Sequence, residues 1–168
     1  FDRAGDLIFQ RALKSLGLEK EVSFIKNNVD HFTGATFGCH ENYLIRRNVP
    51  FSTMIIPALL PFLVTRQIFC GAGRVGSFND SFYYYGWEEK NGQAQEDSVS
   101  FQISQRADHI VTEIYQWIQF SRAIINTRDE PLADHNKYRR LHLLVGDSNM
   151  SEYANALKIG TTAMVLNL

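Results

Sequence analysis

Three observations predict one α+β domain: apolar residues recur at helical spacing near both ends and in a central stretch, alternating segments lie near residues 40, 101 and 138, and no internal repeat or low-complexity linker divides the chain. At 168 residues, with 45% hydrophobic and 21% charged residues, the chain has material for a full core and is not a disordered segment. Seventeen Lys and Arg balance eighteen Asp and Glu without a long basic run, which gives no general electrostatic reason for nucleic acid as a partner. Any anion site is therefore local.

The elements follow in order. Phe1, Ala4, Leu7, Ile8, Leu13 and Leu16 predict a helix over residues 1–16, with Gly17 just beyond its end. Val22-Ser23-Phe24-Ile25 predicts a short strand, and the Asn and Asp of residues 26–30 a turn. The strand Gly38-Cys39-His40-Glu41-Asn42-Tyr43-Leu44 alternates its side chains, so His40 and Asn42 share a face with Leu44, while Cys39, Glu41 and Tyr43 share the other. Ser52 is positioned to cap a helix reaching Cys70, bent or irregular in its first half because of Pro57 and Pro61, and ended by Gly71-Ala72-Gly73. Residues 77–100 form an excursion, with an aromatic part at residues 82–87 that anchors it or stacks on a partner, and a mobile polar tip. Residues 101–106 alternate as a strand with Gln102, Ser104 and Arg106 on its polar face, whereas residues 108–121 suit helix or strand. Tyr138 to Val145 forms a further strand, with Arg140 and His142 facing one way. Residues 146–149 make a turn, and Ser148 or Ser151 caps a last helix with Ala154, Leu157 and Ile159 inward.

Two strands that each aim a polar pair out of an apolar background resemble the floor of an anionic-ligand site. His40 and His142 can hold a divalent metal, with carboxylates needed to favour Mg²⁺, or they can be two satisfied histidines of a polar core patch. Arg106, Arg128 and Arg140 follow or lie within apolar strands, and an inward guanidinium must meet an anion. Asp129, Glu130 and Asp147 are internal partners for them; a bound phosphate or carboxylate is the other. Gly71-Ala72-Gly73-Arg74-Val75-Gly76 follows a helix instead of a strand and reads as a helix end, not a phosphate loop. Cys39 and His40, on opposite strand faces, do not make a nucleophile and base.

Two cysteines without a CxxC pattern imply reduced thiols and a cytoplasmic protein. The apolar run from Met54 to Val64 falls far short of the roughly 20 residues that span a bilayer, so no membrane partner is expected. The chain starts at Phe1 without Met and stops within an apolar run, so it reads as part of a longer protein.

Lys26-Asn27-Asn28, Phe37 to Leu44, Ser104-Gln105-Arg106, Asn126-Thr127-Arg128-Asp129-Glu130-Pro131, Tyr138 to His142 and Gly146 to Met150 occur in this order in the Pup ligase and Pup deamidase/depupylase family, which the sequence resembles over nearly its whole length. The resemblance implies a glutamine synthetase-like fold: a curved, largely antiparallel sheet that cradles ATP and Mg²⁺, backed by helices. It implies that residues 1–168 are part of the large nucleotide-binding domain. The glutamate-bearing metal motif and catalytic aspartate would precede Phe1, and a smaller domain would follow Leu168. By motif, His40 and His142 would lie at the metal–phosphate centre, Asn42 and Arg140 would contact the nucleotide or its metal, and Arg106 and Arg128 would join the cofactor site. The implied partners are the small modifier Pup, or a Pup-like modifier, and its protein conjugates.

Residues 28–30, 50–52, 73–76, 101–104 and 160–163 resemble the depupylase branch, and residues 64–67 and 147–152 the ligase branch. The balance favours an ATP/Mg²⁺-dependent depupylase or deamidase, with a Pup–protein ligase and a non-catalytic binding module as alternatives. Leu132, where the family usually has histidine, and the 77–100 excursion mark a divergent member.

Overall fold

The computed structural model describes residues 2–30, 35–75, 101–116 and 122–168; the 77–100 excursion with its aromatic cluster, and residues 117–121, lie outside them. The fold is mixed α/β, built on an open four-stranded sheet with helices beside it.

Helix α1 (Asp2–Leu16) ends as its sequence predicts. Gly17 takes φ +70°, and the Leu18 and Gly17 amides close on the Leu13 and Lys14 carbonyls, the paired bonds of a Schellman end. The strand expected over residues 22–25 does not form. Val22, Phe24 and Ile25 are exposed and have no ladder partner, and Phe24 instead stacks on Phe9 with ring centroids 4.5 Å apart.

The main sheet runs in the order β1 (Glu41–Arg46), β6 (Tyr138–Leu143), β5 (Ala123–Asn126), β4 (Thr112–Tyr115). Strands β1 and β5 pair antiparallel with β6 and β4 pairs parallel with β5, so the sheet is largely antiparallel, as expected, with one parallel edge. The short strands β2 (Arg74–Val75) and β3 (Phe101–Gln102) form a separate antiparallel pair. One face of the main sheet carries Ile45, Ile125, Leu141 and Leu143, which close a core with Leu59 and Leu63 of α2 (Ile56–Thr65). Burying each such side chain contributes roughly 1.5–3 kcal/mol.

The prolines act as expected but the cap does not. A π-helical turn over Phe51–Ile55 precedes α2, Pro57 sits in its first turn, and Pro61 lies inside it. Pro50, not Ser52, occupies the N-cap position, because the wider turn begins two residues earlier than a Ser52 cap would place it. The short α3 (Gln67–Cys70) ends at Gly71. The strand expected over residues 101–106 stops at Gln102, and a 3₁₀ turn follows at Ala107–His109. There the alternation is inverted: Phe101 and Ile103 are exposed while Ser104 and Arg106 are buried. Asp147 is the reason. Its buried carboxylate accepts from the Ala72 amide at 2.8 Å, the Ser104 hydroxyl at 3.0 Å and the Gln105 amide at 3.1 Å, drawing the polar face inward.

Helix α4 (Glu152–Leu166) departs from expectation in the same way. Ser151 stands at its N-cap in extended conformation but makes no side-chain cap, and Leu157 and Ile159 are exposed. Lys158 and Thr162 are buried instead: Lys158 Nζ donates to the Asp147 carbonyl at 2.8 Å, and Thr162 Oγ1 accepts from Arg66 Nη1 at 2.8 Å. Arg66 also pairs with buried Glu41, the inward carboxylate of β1, through a second bond of 2.9 Å from Nη1. Polar partners hold the middle of this helix, and Val165 and Leu166 pack its last turn against the core.

Candidate functional site

Strand register assembles the site on the sheet face opposite the core. Asn42 and Asn126 both stand opposite His142, and Leu44 stands opposite Arg140, so Asn42, Asn126, Arg140 and His142 share that face. His40 lies one residue before β1 and joins them. Arg140 Nε donates to Asn42 Oδ1 at 2.7 Å and Nη2 donates to His142 Nδ1 at 2.9 Å, while His142 Nε2 meets His40 Nδ1 at 3.2 Å.

The guanidinium fixes the tautomers, because arginine has only donors. His142 must accept at Nδ1 and carry its proton on Nε2, which donates to His40 Nδ1. Burial, then Arg140 and His40, push His142 down to about 4. Burial, then Arg106, Arg122 and Arg140, hold His40 below the usual histidine range. Both rings are therefore neutral near pH 7.

The three arginines separate. Arg128 is exposed and paired with Glu130 at 2.7 Å. Arg140 also reaches Glu130, at 3.7 Å. Arg106 is 0% exposed, and its Nε, Nη1 and Nη2 lack hydrogen-bond partners among the described residues. Asp147 makes no hydrogen bond to it, since that carboxylate is held by Ala72, Ser104 and Gln105, and acts on it only as a nearby negative charge. Burial and then Arg122 press the pKa of Arg106 below its ordinary value. Gly38 makes room for it: at φ +74°, a β-carbon there would collide with Arg106 Nη1.

A buried guanidinium without a partner, with Arg122 and Arg140 in the same positive field around His40, fits a polyanion such as a nucleotide phosphate. The metal donor set is smaller. Among the described residues no group of three or more His, Cys, Asp and Glu side chains gathers to hold an ion. His40 and His142 offer at most two imidazoles, so hard oxygen ligands for Mg²⁺ would come from phosphate and from residues elsewhere. Beside the pair, a cavity of about 420 Å³ is lined by Asn42, Tyr43, Glu130, Leu132 and Arg140; neither imidazole lines it.

Asn126 lies in one of the family motifs but is not assigned to the site by it, and Arg122, whose charge acts on His40 and Arg106, lies in none of them. Alternation within β5 carried the signal for Asn126, whose Oδ1 accepts from the Arg128 amide at 2.9 Å. Nothing local marked Arg122.

Comparison with known proteins identifies the family. The family model described as Pup-ligase protein matches residues 1–168. The chain is 47% identical over 169 residues to the depupylase of Acidothermus cellulolyticus, covering 99% of the chain and 30% of that protein. It is 46% identical over 172 residues to the Pup–protein ligase of Corynebacterium jeikeium, covering 100% and 34%. The solved structure of the Pup ligase PafA in complex with ADP superposes with a TM-score of 0.69 at 41% identity, over 99% of this chain and 34% of that one. A complex of Pup with its ligase PafA gives 0.69 at 42% identity, over 98% and 30%. The chain thus spans about a third of the length of the proteins it matches.

Proposed function

The chain belongs to the Pup-ligase family, and from that premise we propose that the full-length protein containing it binds ATP with Mg²⁺ on the sheet face of His142 and hydrolyses the isopeptide, or terminal amide, bond of Pup or a Pup-like modifier. The observation that carries the nucleotide reading is Arg106, buried and without a hydrogen-bond partner among the described residues, beside the neutral histidine pair. Its likeness to a ligase solved with ADP supports the same reading.

In this reading residues 1–168 are part of a large nucleotide-binding domain, and the open sheet is one portion of a glutamine synthetase-like cradle. Arg106 meets a phosphate, Arg140 and Asn42 orient the nucleotide, Arg128 lies at the margin, and His40 and His142 face the metal–phosphate centre. Bound ATP–Mg²⁺ supplies the electrophilic phosphate and the cation that balances its charge. The protein's own part is positioning: Gly38 keeps Arg106 against the site, and Arg140 holds His142 neutral. We place the protein in the cytoplasm, with Pup and its conjugates as partners.

The branch assignment rests on the depupylase-like segments, and near-equal identity to the ligase supports the opposite direction as a second reading. A ligase must bring a lysine amine to an activated carboxylate in a dry site, whereas a hydrolase must admit water to the isopeptide carbonyl. The test supplies full-length protein and ATP with either a preformed Pup conjugate or free Pup ending in glutamate plus a lysine-bearing target. Free Pup released from the conjugate sustains the depupylase; stoichiometric ADP with new conjugate establishes the ligase; nucleotide binding with neither reaction establishes a binding module.

A further inference from the structure

Cys39 and His40 are neighbours in sequence, yet the fold sends them to different partners. His40 meets His142, while Cys39 meets α4. Lys158 Nζ donates to Cys39 Sγ at 3.4 Å, across 119 residues of sequence, and to the Asp147 carbonyl at 2.8 Å. Lys158 is 1% exposed, and no carboxylate pairs with it among the described residues. A buried ammonium without a counter-ion is costly, so its position beside sulfur calls for an explanation. A second buried cation lies close by: Arg106, without a hydrogen-bond partner among the described residues, packs against Gly38, the residue before Cys39. Cys39 is half-buried and so open to a small oxidant, whereas Cys70 is fully buried with its thiol on the Arg66 carbonyl at 3.0 Å.

We propose that Cys39 and Lys158 form a peroxide-responsive modification site, in which the oxidised sulfur is captured by the lysine amine as a reversible S–N crosslink between the approach to β1 and α4. Hydrogen peroxide or an organic hydroperoxide is the oxidant. The sulfur attacks one peroxide oxygen, the S–O bond forms as the O–O bond breaks, and the other oxygen leaves as water or alcohol with the thiol proton. Sulfur is oxidised by two electrons to the sulfenic acid and the peroxide is reduced by two. Lys158 Nζ, having released a proton to solvent, then attacks sulfur. The S–N bond forms, the S–O bond breaks, and the oxygen departs as water with one amine proton. A thiol reverses the link by attacking sulfur and expelling the amine, which regains its proton. The crosslink removes the buried positive charge and ties the segment entering the site to α4.

The test is peptide mass spectrometry on full-length protein exposed natively to hydrogen peroxide. The expected product joins the Cys39 and Lys158 peptides with the loss of two hydrogens, disappears on treatment with dithiothreitol, and leaves Cys70 unmodified. In the Lys158→Arg variant, which keeps the charge without the capturing amine, dimedone should label Cys39 sulfenic acid at least several-fold more than in the parent. An unmodified Cys39 at peroxide levels that oxidise glutathione overturns the proposal, as does oxidation of Cys39 with no Lys158-linked peptide in the parent. The parent's crosslink decides the matter even if Lys158→Arg fails to fold.

Discussion

Arg140 Nη2 lies 2.9 Å from His142 Nδ1, and this one contact sets the protonation of the histidine pair, because a guanidinium can only donate. The neutral, Nε2-protonated His142 is the form that also reaches His40. With its pKa lowered to about 4, His142 binds fewer protons folded than unfolded between about pH 4 and the ordinary value of 6.5. Its contribution to stability is therefore present above 6.5 and lost as pH falls toward 4, a difference on the order of 3 kcal/mol. Urea unfolding of the full-length protein and of His142→Gln across this range checks it: the parent should lose more stability on acidification. Equal slopes would show that His142 is not held neutral.

Arg106 should show opposite effects on stability and binding. Its guanidinium, buried without a hydrogen-bond partner among the described residues, costs folding energy, so Arg106→Met should leave the ligand-free protein as stable or more stable. The same change should weaken ATP–Mg²⁺ binding by roughly ten- to hundredfold, the loss of a charge-assisted contact worth about 1.5–3 kcal/mol. Thermal unfolding without ligand and calorimetry with ATP read the two effects. Destabilisation with unchanged affinity would make Arg106 a structural residue.

Gly38→Ala tests the cradle. The φ of +74° and the clash with Arg106 Nη1 both oppose a β-carbon. The backbone cost alone is about 1–2 kcal/mol, and the displaced guanidinium should lower ATP affinity by a factor similar to that of Arg106→Met. The double variant should bind no more weakly than the worse single one.

Glu41 is a stability residue despite lying one position from His40. Its carboxylate is buried with Arg66, and the Tyr43 hydroxyl donates to Oε2 at 2.7 Å. Arg66→Met strands this charge and should cost about 3–5 kcal/mol in urea unfolding. Ser52→Ala and Ser151→Ala, by contrast, remove no cap bond and should each change stability by less than about 0.5 kcal/mol.

Much of the site was legible because β1 and β6 alternate with period two. That periodicity put His40 with Asn42, and Arg140 with His142, and it required no knowledge of which strands are neighbours. The Schellman end at Gly17 and the irregular start of α2 were equally local, set by glycine and proline backbone chemistry. The family, too, was readable from ordered motifs, and the match over residues 1–168 bears it out.

Tertiary structure decided what local pattern could not. Alternation predicted Arg106 on a polar strand face, but Asp147 drew that face inward by binding Ser104 and the Gln105 amide, and left Arg106 buried without a hydrogen-bond partner among the described residues. Lys158 and Thr162 displaced Leu157 and Ile159 from the interior of α4 for a related reason: a carbonyl 11 residues earlier and an arginine 96 residues away satisfied the polar groups that burial would otherwise penalise. Residues 22–25 had strand-like composition but found no edge to pair with, and a strand is stable only with a neighbour. The sequence by itself determined periodicity, helix ends and family. Partner choice among buried polar groups belonged to the fold, because each depends on a residue whose distance in space is not written in its distance along the chain.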